Sequence, residues 1–145
     1  MKRRGSVTVE FALAFVLLFS ILGGVFQFGY SYYVYNALES TVRDAARYAS
    51  LRAYDSLSNT PSDSFLAAVR NMAVYGSPAG GAQALVPGLA TSHIQLTVTF
   101  DRNVPYLMKV AVVNYRVQAI FSSFVLSGKP NAAFRYMGRY APPTT

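Results

Sequence analysis

At 145 residues, with 52% hydrophobic but only 13% charged positions, the chain has the length of one small domain. It is too poor in charge to face water everywhere, since soluble domains carry about 25% charged residues. The absence of cysteine excludes disulfides, thiolate metal sites and cysteine nucleophiles, and of the formal charge of +7, three positives come from Lys2, Arg3 and Arg4. The remaining arginine-rich surface is too weak a field to argue for nucleic acid as a partner.

Behind the basic start, no residue from Phe11 to Leu38 carries a charge, and Phe11 to Phe26 are nearly all strongly apolar. About 20 helical residues cross the hydrocarbon layer of a bilayer, so this segment is expected to be a transmembrane helix, membrane-spanning to about residue 31. Lys and Arg favour the cytoplasmic side, which puts the N-terminus inside and everything beyond the helix outside. Tyr30, Tyr32, Tyr33 and Tyr35 cluster at the far end, where ring bodies fit the acyl boundary and hydroxyls reach head groups.

The helical period continues past the membrane. Val34, Leu38, Val42, Ala45 and Ala49 form an apolar stripe at spacings of three and four, and Glu39 and Arg43 stand at the favourable i,i+4 separation. One helix over residues 6–52 is predicted, about 70 Å long. Its outer half needs a partner to pack on.

Residues 55–63, DSLSNTPSD, break the helix. Ser62 or Asp63 then caps a second helix carrying Phe65, Leu66, Val69, Met72 and Ala73, which Gly76 ends. Glycine, proline and alanine dominate a loop over 76–91. Then the period changes to two: Ile94, Leu96, Val98 and Phe100 alternate with polar residues as a half-buried strand. Ala111, Val113, Tyr115, Val117, Ala119 and Phe121 suggest a second strand, and Phe134, Tyr136 and Tyr140 a weaker third. The tail from Ala141 to Thr145 reads as coil.

Helices followed by strands indicate an α+β fold: a long N-terminal helix continuing into a small head, residues 53–145, with a second helix and an antiparallel sheet of about three strands. No catalytic constellation stands out, so the chain does not read as an enzyme. His93 has no second histidine or cysteine to complete a metal site, and residues 55–63 lack the ligand spacing of a calcium loop. No cofactor motif is present. Cofactor and metal are both expected to be none.

The basic start and apolar run also fit a secretory signal, but the run leads into FQFGYSYYVY, bulky and aromatic, a poor site for a peptidase that needs small residues. A cut before the run, between Gly5 and Ser6, retains the helix. Counted from Ser6, Glu10 is the fifth mature residue and Phe11 the sixth. This arrangement resembles a class III, prepilin-type signal.

More narrowly, VEFAL at Val9 to Leu13, the pair Phe28 and Gly29, and ALESTVRDAARYAS from Ala37 to Ser50 resemble the TadE-like pseudopilins, minor pilins of the tight-adherence (Tad/Flp) type IV pilus and secretion system. The resemblance covers about the first third of the chain. It implies a pilin-like fold, a leader of residues 1–5 removed by a prepilin peptidase, and Gly5 and Ser6 as the processing site. Glu10 and Phe11 become assembly residues, the glutamate meeting the new N-terminal amine of a neighbouring subunit.

The partners so implied are the prepilin peptidase, other pilins or pseudopilins through the N-terminal helix, an inner-membrane assembly platform and the lipid bilayer. The place would be the bacterial inner membrane, with the head in the periplasm. Many family members have a proline near Val16 and an acid where Gln27 stands; this chain departs at both. The alternative reading is an uncleaved single-pass anchor carrying an envelope-binding module.

Overall fold

The structure, a computed structural model, describes residues 3–142, with side chains from Ser6 onward. Met1 and Lys2 of the basic leader, and residues 143–145 of the tail read as coil, lie outside the described residues. Helix α1 spans Arg3–Leu51 without interruption, as expected where no proline interrupts the hydrogen-bond ladder. Helix α2 spans Asp63–Tyr75. A 3₁₀ turn at Thr91–His93 leads into strand β1, Ile94–Asp101. The remaining strands are β2 (Val104–Val112), β3 (Tyr115–Gln118), β4 (Ser123–Leu126) and β5 (Asn131–Arg135).

The main sheet is antiparallel with order β1-β2-β5, so the fold is α+β with three strands behind two helices. Val34, Leu38, Val42, Ala45 and Ala49, the stripe read from the sequence, are all buried, together with Thr41 and Ala46. They pack against α2, β2 and β5. Glu39 and Arg43 form the expected pair on the solvent side, 2.8 Å apart and more than two-fifths exposed at both ends, a geometry that adds only a few tenths of a kcal/mol.

Helix α2 begins and ends for identifiable reasons. The Ser62 hydroxyl accepts from the Phe65 N–H at 3.2 Å and donates to Asp55 Oδ2 at 2.5 Å, satisfying a first-turn donor and tying the preceding loop to the cap. At the other end Gly76 has φ 71° and its N–H bonds the Met72 carbonyl, the left-handed ending for which glycine carries no Cβ penalty. Phe65, Val69 and Ala73 are buried as expected, whereas Leu66 and Met72 are only half-buried.

The strand run expected over residues 111–121 is corrected: it is not one strand. Ala111 and Val112 end β2, Tyr115 to Gln118 form β3, and Ala119 to Phe121 belong to the tip of a hairpin. Asn114, at φ 54°, bends the chain out of the main sheet, a conformation asparagine tolerates better than most residues. Strands β3 and β4 then pair only with each other, from Tyr115↔Leu126 to Gln118↔Ser123. The principal partner of β1 is β2, reached through a two-residue turn in which Arg102 and Asn103 have φ 47° and 64°, the signature of a type I′ hairpin.

The third strand ends at Arg135; beyond it Tyr136 and Tyr140 turn over the end of α1. The tail pairs there: Met137 N–H bonds Ser50 O at 2.9 Å, Tyr54 N–H bonds Arg139 O at 2.9 Å and Ala141 N–H bonds Tyr54 O at 2.9 Å. Ala141 is therefore not free coil. The Tyr136 hydroxyl accepts from the Tyr54 N–H at 2.9 Å and faces the carbonyls of Arg139 and Arg52 at 2.7 and 3.0 Å. A Cβ on Gly138 would collide with the Arg52 carbonyl and the Tyr136 hydroxyl, so the seal requires glycine there.

Tyr54 is the hub of this end. It is fully buried, its ring lies 5.4 Å from that of Phe65 and 5.6 Å from that of Phe100, both edge-on, and its hydroxyl donates to Ser58 O at 2.7 Å. Burial, with a smaller contribution from the charge of Asp55, pushes its ionisation up to about 12. The folded value lies above the ordinary 10, so this stabilisation is complete below pH 10 and is lost as pH rises from 10 towards 12. Its size is on the order of 2 kcal/mol. Thermal melts followed by circular dichroism are expected to fall across that window, and less steeply in Tyr54→Phe; an unchanged pH dependence in that variant would remove Tyr54 as the cause.

Candidate pilus-assembly helix

The inner half of α1 is bare. Every side chain from Ser6 to Leu22 is exposed, and the helix is long and apolar enough to cross a membrane. Gly5 and Ser6 both lie within the helix. Peptidase entry would therefore require the first turn to open, where backbone N–H groups lack intrahelical partners and glycine weakens the helix. Glu10 and Phe11 lie one turn further on and are exposed, Phe11 at 70%.

Phe11, Phe15 and Phe19 stack along one face with ring centroids 6.2 and 6.0 Å apart. Among the described residues no side chain bonds or ion-pairs with Glu10. A lone carboxylate among apolar side chains is costly in a low-dielectric medium.

The tyrosines expected at the membrane boundary divide by face. Tyr32 and Tyr33 are 69% exposed and Tyr30 is 42% exposed, while Tyr35 is half-buried. Tyr30 lines a cleft of about 410 Å³ with His93, Asn114, Tyr115 and Arg116. His93 is half-buried: its Nδ1 accepts from the Ala90 N–H at 3.1 Å, and its ring meets that of Tyr115 edge-on at 5.6 Å. Among the described residues no cluster of three His, Cys, Asp or Glu forms a candidate metal site.

One tertiary contact escaped the sequence. Gln27 Oε1 accepts from the Phe121 N–H at 2.8 Å, and Gln27 Nε2 donates to the Ser122 hydroxyl at 2.7 Å. The tip of the β3–β4 hairpin is thereby clamped to α1, with the Phe121 ring against Gly23, where an added Cβ would approach it to 2.9 Å. Ser20, the other polar side chain between Phe11 and Gly29, donates to Val16 O at 2.8 Å. Both polar groups in this stretch thus have internal partners, as a dry environment demands. A signal was present: one amide in an otherwise apolar run needs an acceptor and a donor from elsewhere.

Residues 5–47 match the family model described as TadE-like protein. No curated protein and no solved structure matches the chain. The matched segment contains Glu10, the bare apolar half of α1 and most of the stripe buried in the head; over this stretch, less than a third of the chain, the protein is similar to the TadE-like proteins.

Proposed function

We propose that the protein is a minor pilin, or pseudopilin, that takes part in assembly, initiation or regulation of a Tad/Flp-type adhesive pilus after a prepilin peptidase cuts between Gly5 and Ser6. The observation that carries this reading is the division of α1: its outer half is buried in the chain's own head, whereas its inner half is apolar and uncovered from Ser6 to Leu22. Such a surface is stable in a bilayer or against the helices of other subunits, and a pilin passes from one to the other.

In this reading Lys2, Arg3 and Arg4 hold the N-terminus in the cytoplasm and the head folds in the periplasm. Cleavage removes those charges and creates an α-amino group at Ser6, one helical turn from Glu10. In assembly that carboxylate pairs with the amine of a neighbouring subunit, which fixes the axial register of the two helices. Phe11 packs beside it, and the platform of the inner membrane receives the subunit.

The decisive measurement is the mass of the protein extracted from membranes of cells with an active prepilin peptidase. The expected product begins at Ser6, shortened by the five residues MKRRG. A chain retaining Met1 or Lys2 would replace this reading by the uncleaved anchor carrying an envelope-binding module.

A further inference from the structure

The β3–β4 hairpin carries an apolar surface that pilin processing and helix pairing do not use. From Val117 to Gly128 it has no charged residue, while Arg116 and Lys129 stand at its two bases. At its tip Ile120 and Phe121 are 64% and 66% exposed, and Phe124 and Val125 beside them are also exposed. Four large apolar side chains on one short hairpin are unusual for a surface in contact with water.

Its height along α1 is fixed by the Gln27 clamp. About 20 residues cross the hydrocarbon layer, so a span that starts near Ser6 and Val7 ends near Phe26. The residue bonded to the hairpin tip is the next one. Tyr30, Tyr32 and Tyr33 lie within two turns beyond it, at the level where aromatic residues collect.

Between the tip and the helix runs a groove of about 370 Å³, lined by Phe19, Ser20, Gly23, Gly24, Gln27 and Phe121. Its lining is mostly apolar, suited to an acyl chain.

We propose that the hairpin tip is a second membrane contact: Ile120, Phe121, Phe124 and Val125 enter the outer leaflet of the bilayer in which α1 is anchored, and lipid chains fill the groove beside Gly23. Arg116 and Lys129 remain at the head-group level, where their charges meet lipid phosphates. The head is then held against the membrane at two points and cannot swing freely about α1. This rests on the reading of α1 as a membrane anchor.

The chain has no native cysteine, so single cysteines can be placed at Leu18, Ile120 and Asn59 in the full-length protein and labelled with an environment-sensitive fluorophore. The labelled chains are reconstituted in phosphatidylcholine–phosphatidylglycerol vesicles containing lipids with a nitroxide near the head group. Labels at Leu18 and Ile120 are expected to shift to the blue and lose intensity to the nitroxide, while the label at Asn59 keeps its aqueous emission.

If Leu18 responds but Ile120 behaves like Asn59, the hairpin contact is overturned and the anchor stands. If neither responds, both fail. A blue shift at Ile120 that grows with protein concentration, without nitroxide quenching, assigns the tip to a second copy of the chain and also overturns the lipid contact.

Discussion

Glu10→Val is expected to yield a protein that is inserted and cut normally but fails to join its partners. In the proposed reading, peptidase recognition depends on the basic leader and Gly5, which the substitution leaves intact, so the mature mass should again correspond to a Ser6 start. What is lost is the carboxylate that would meet a neighbour's α-amino group. Removing one member of a desolvated charge pair costs about 3–5 kcal/mol, because the other is left unpaired. Each 1.4 kcal/mol is tenfold, so co-purification with other pilins should fall by about 100-fold or more. Glu10→Gln separates charge from size and is expected to behave like valine. Wild-type co-purification and normal pilus numbers for both variants would remove Glu10 from assembly.

Tyr54→Ala is expected to unfold the head. The ring is fully buried among Phe65, Phe100, Tyr136 and Tyr140, and truncating an aromatic at such a site costs about 3–5 kcal/mol. A small domain has a net stability of only about 5–15 kcal/mol, so this takes away much of the margin. The expected signature is a lost or strongly lowered cooperative melt and rapid proteolysis beyond Leu51. Tyr54→Phe keeps the ring and loses only the bond to Ser58, at a cost of about 1 kcal/mol. Equal effects of the two substitutions would mean that the hydroxyl, and not the packed ring, holds this end together.

The parts of the fold governed by local rules were legible in the sequence. The 3.6-residue stripe from Val34 to Ala49 marked the buried face of α1, Ser62 and Gly76 marked the ends of α2, and the alternation from Ile94 to Phe100 marked β1. The split between β2 and β3 was not legible, because a single left-handed residue, Asn114, interrupts a run whose alternation continues on both sides. The β1–β2 turn was hidden for a related reason. Its two positive-φ positions hold Arg102 and Asn103 and no glycine, so the usual punctuation is missing.

The likeness to the TadE-like proteins could be read because its signal is contiguous, within residues 5–47. The Gln27 clamp could not, since its partners Phe121 and Ser122 lie more than ninety positions away. Nothing local tells an amide which loop will reach it. Sequence periodicity reports which face of an element is covered, and only the tertiary structure reports by what.

The seal at the outer end of α1 has a consequence for export. The first element made is the helix, but its buried face needs β2 and β5, and its last carbonyls need Met137 and Tyr136. Those groups are synthesised last. With the topology proposed above, the outer half of α1 would wait during translocation with Val34, Leu38 and Val42 bare to the periplasm, and chain collapse would be completed only when Ala141 had crossed. In that reading a truncation that removes residues 136–142 would reach the membrane as an anchored helix with an unfinished head, a substrate for periplasmic chaperones and proteases rather than for assembly.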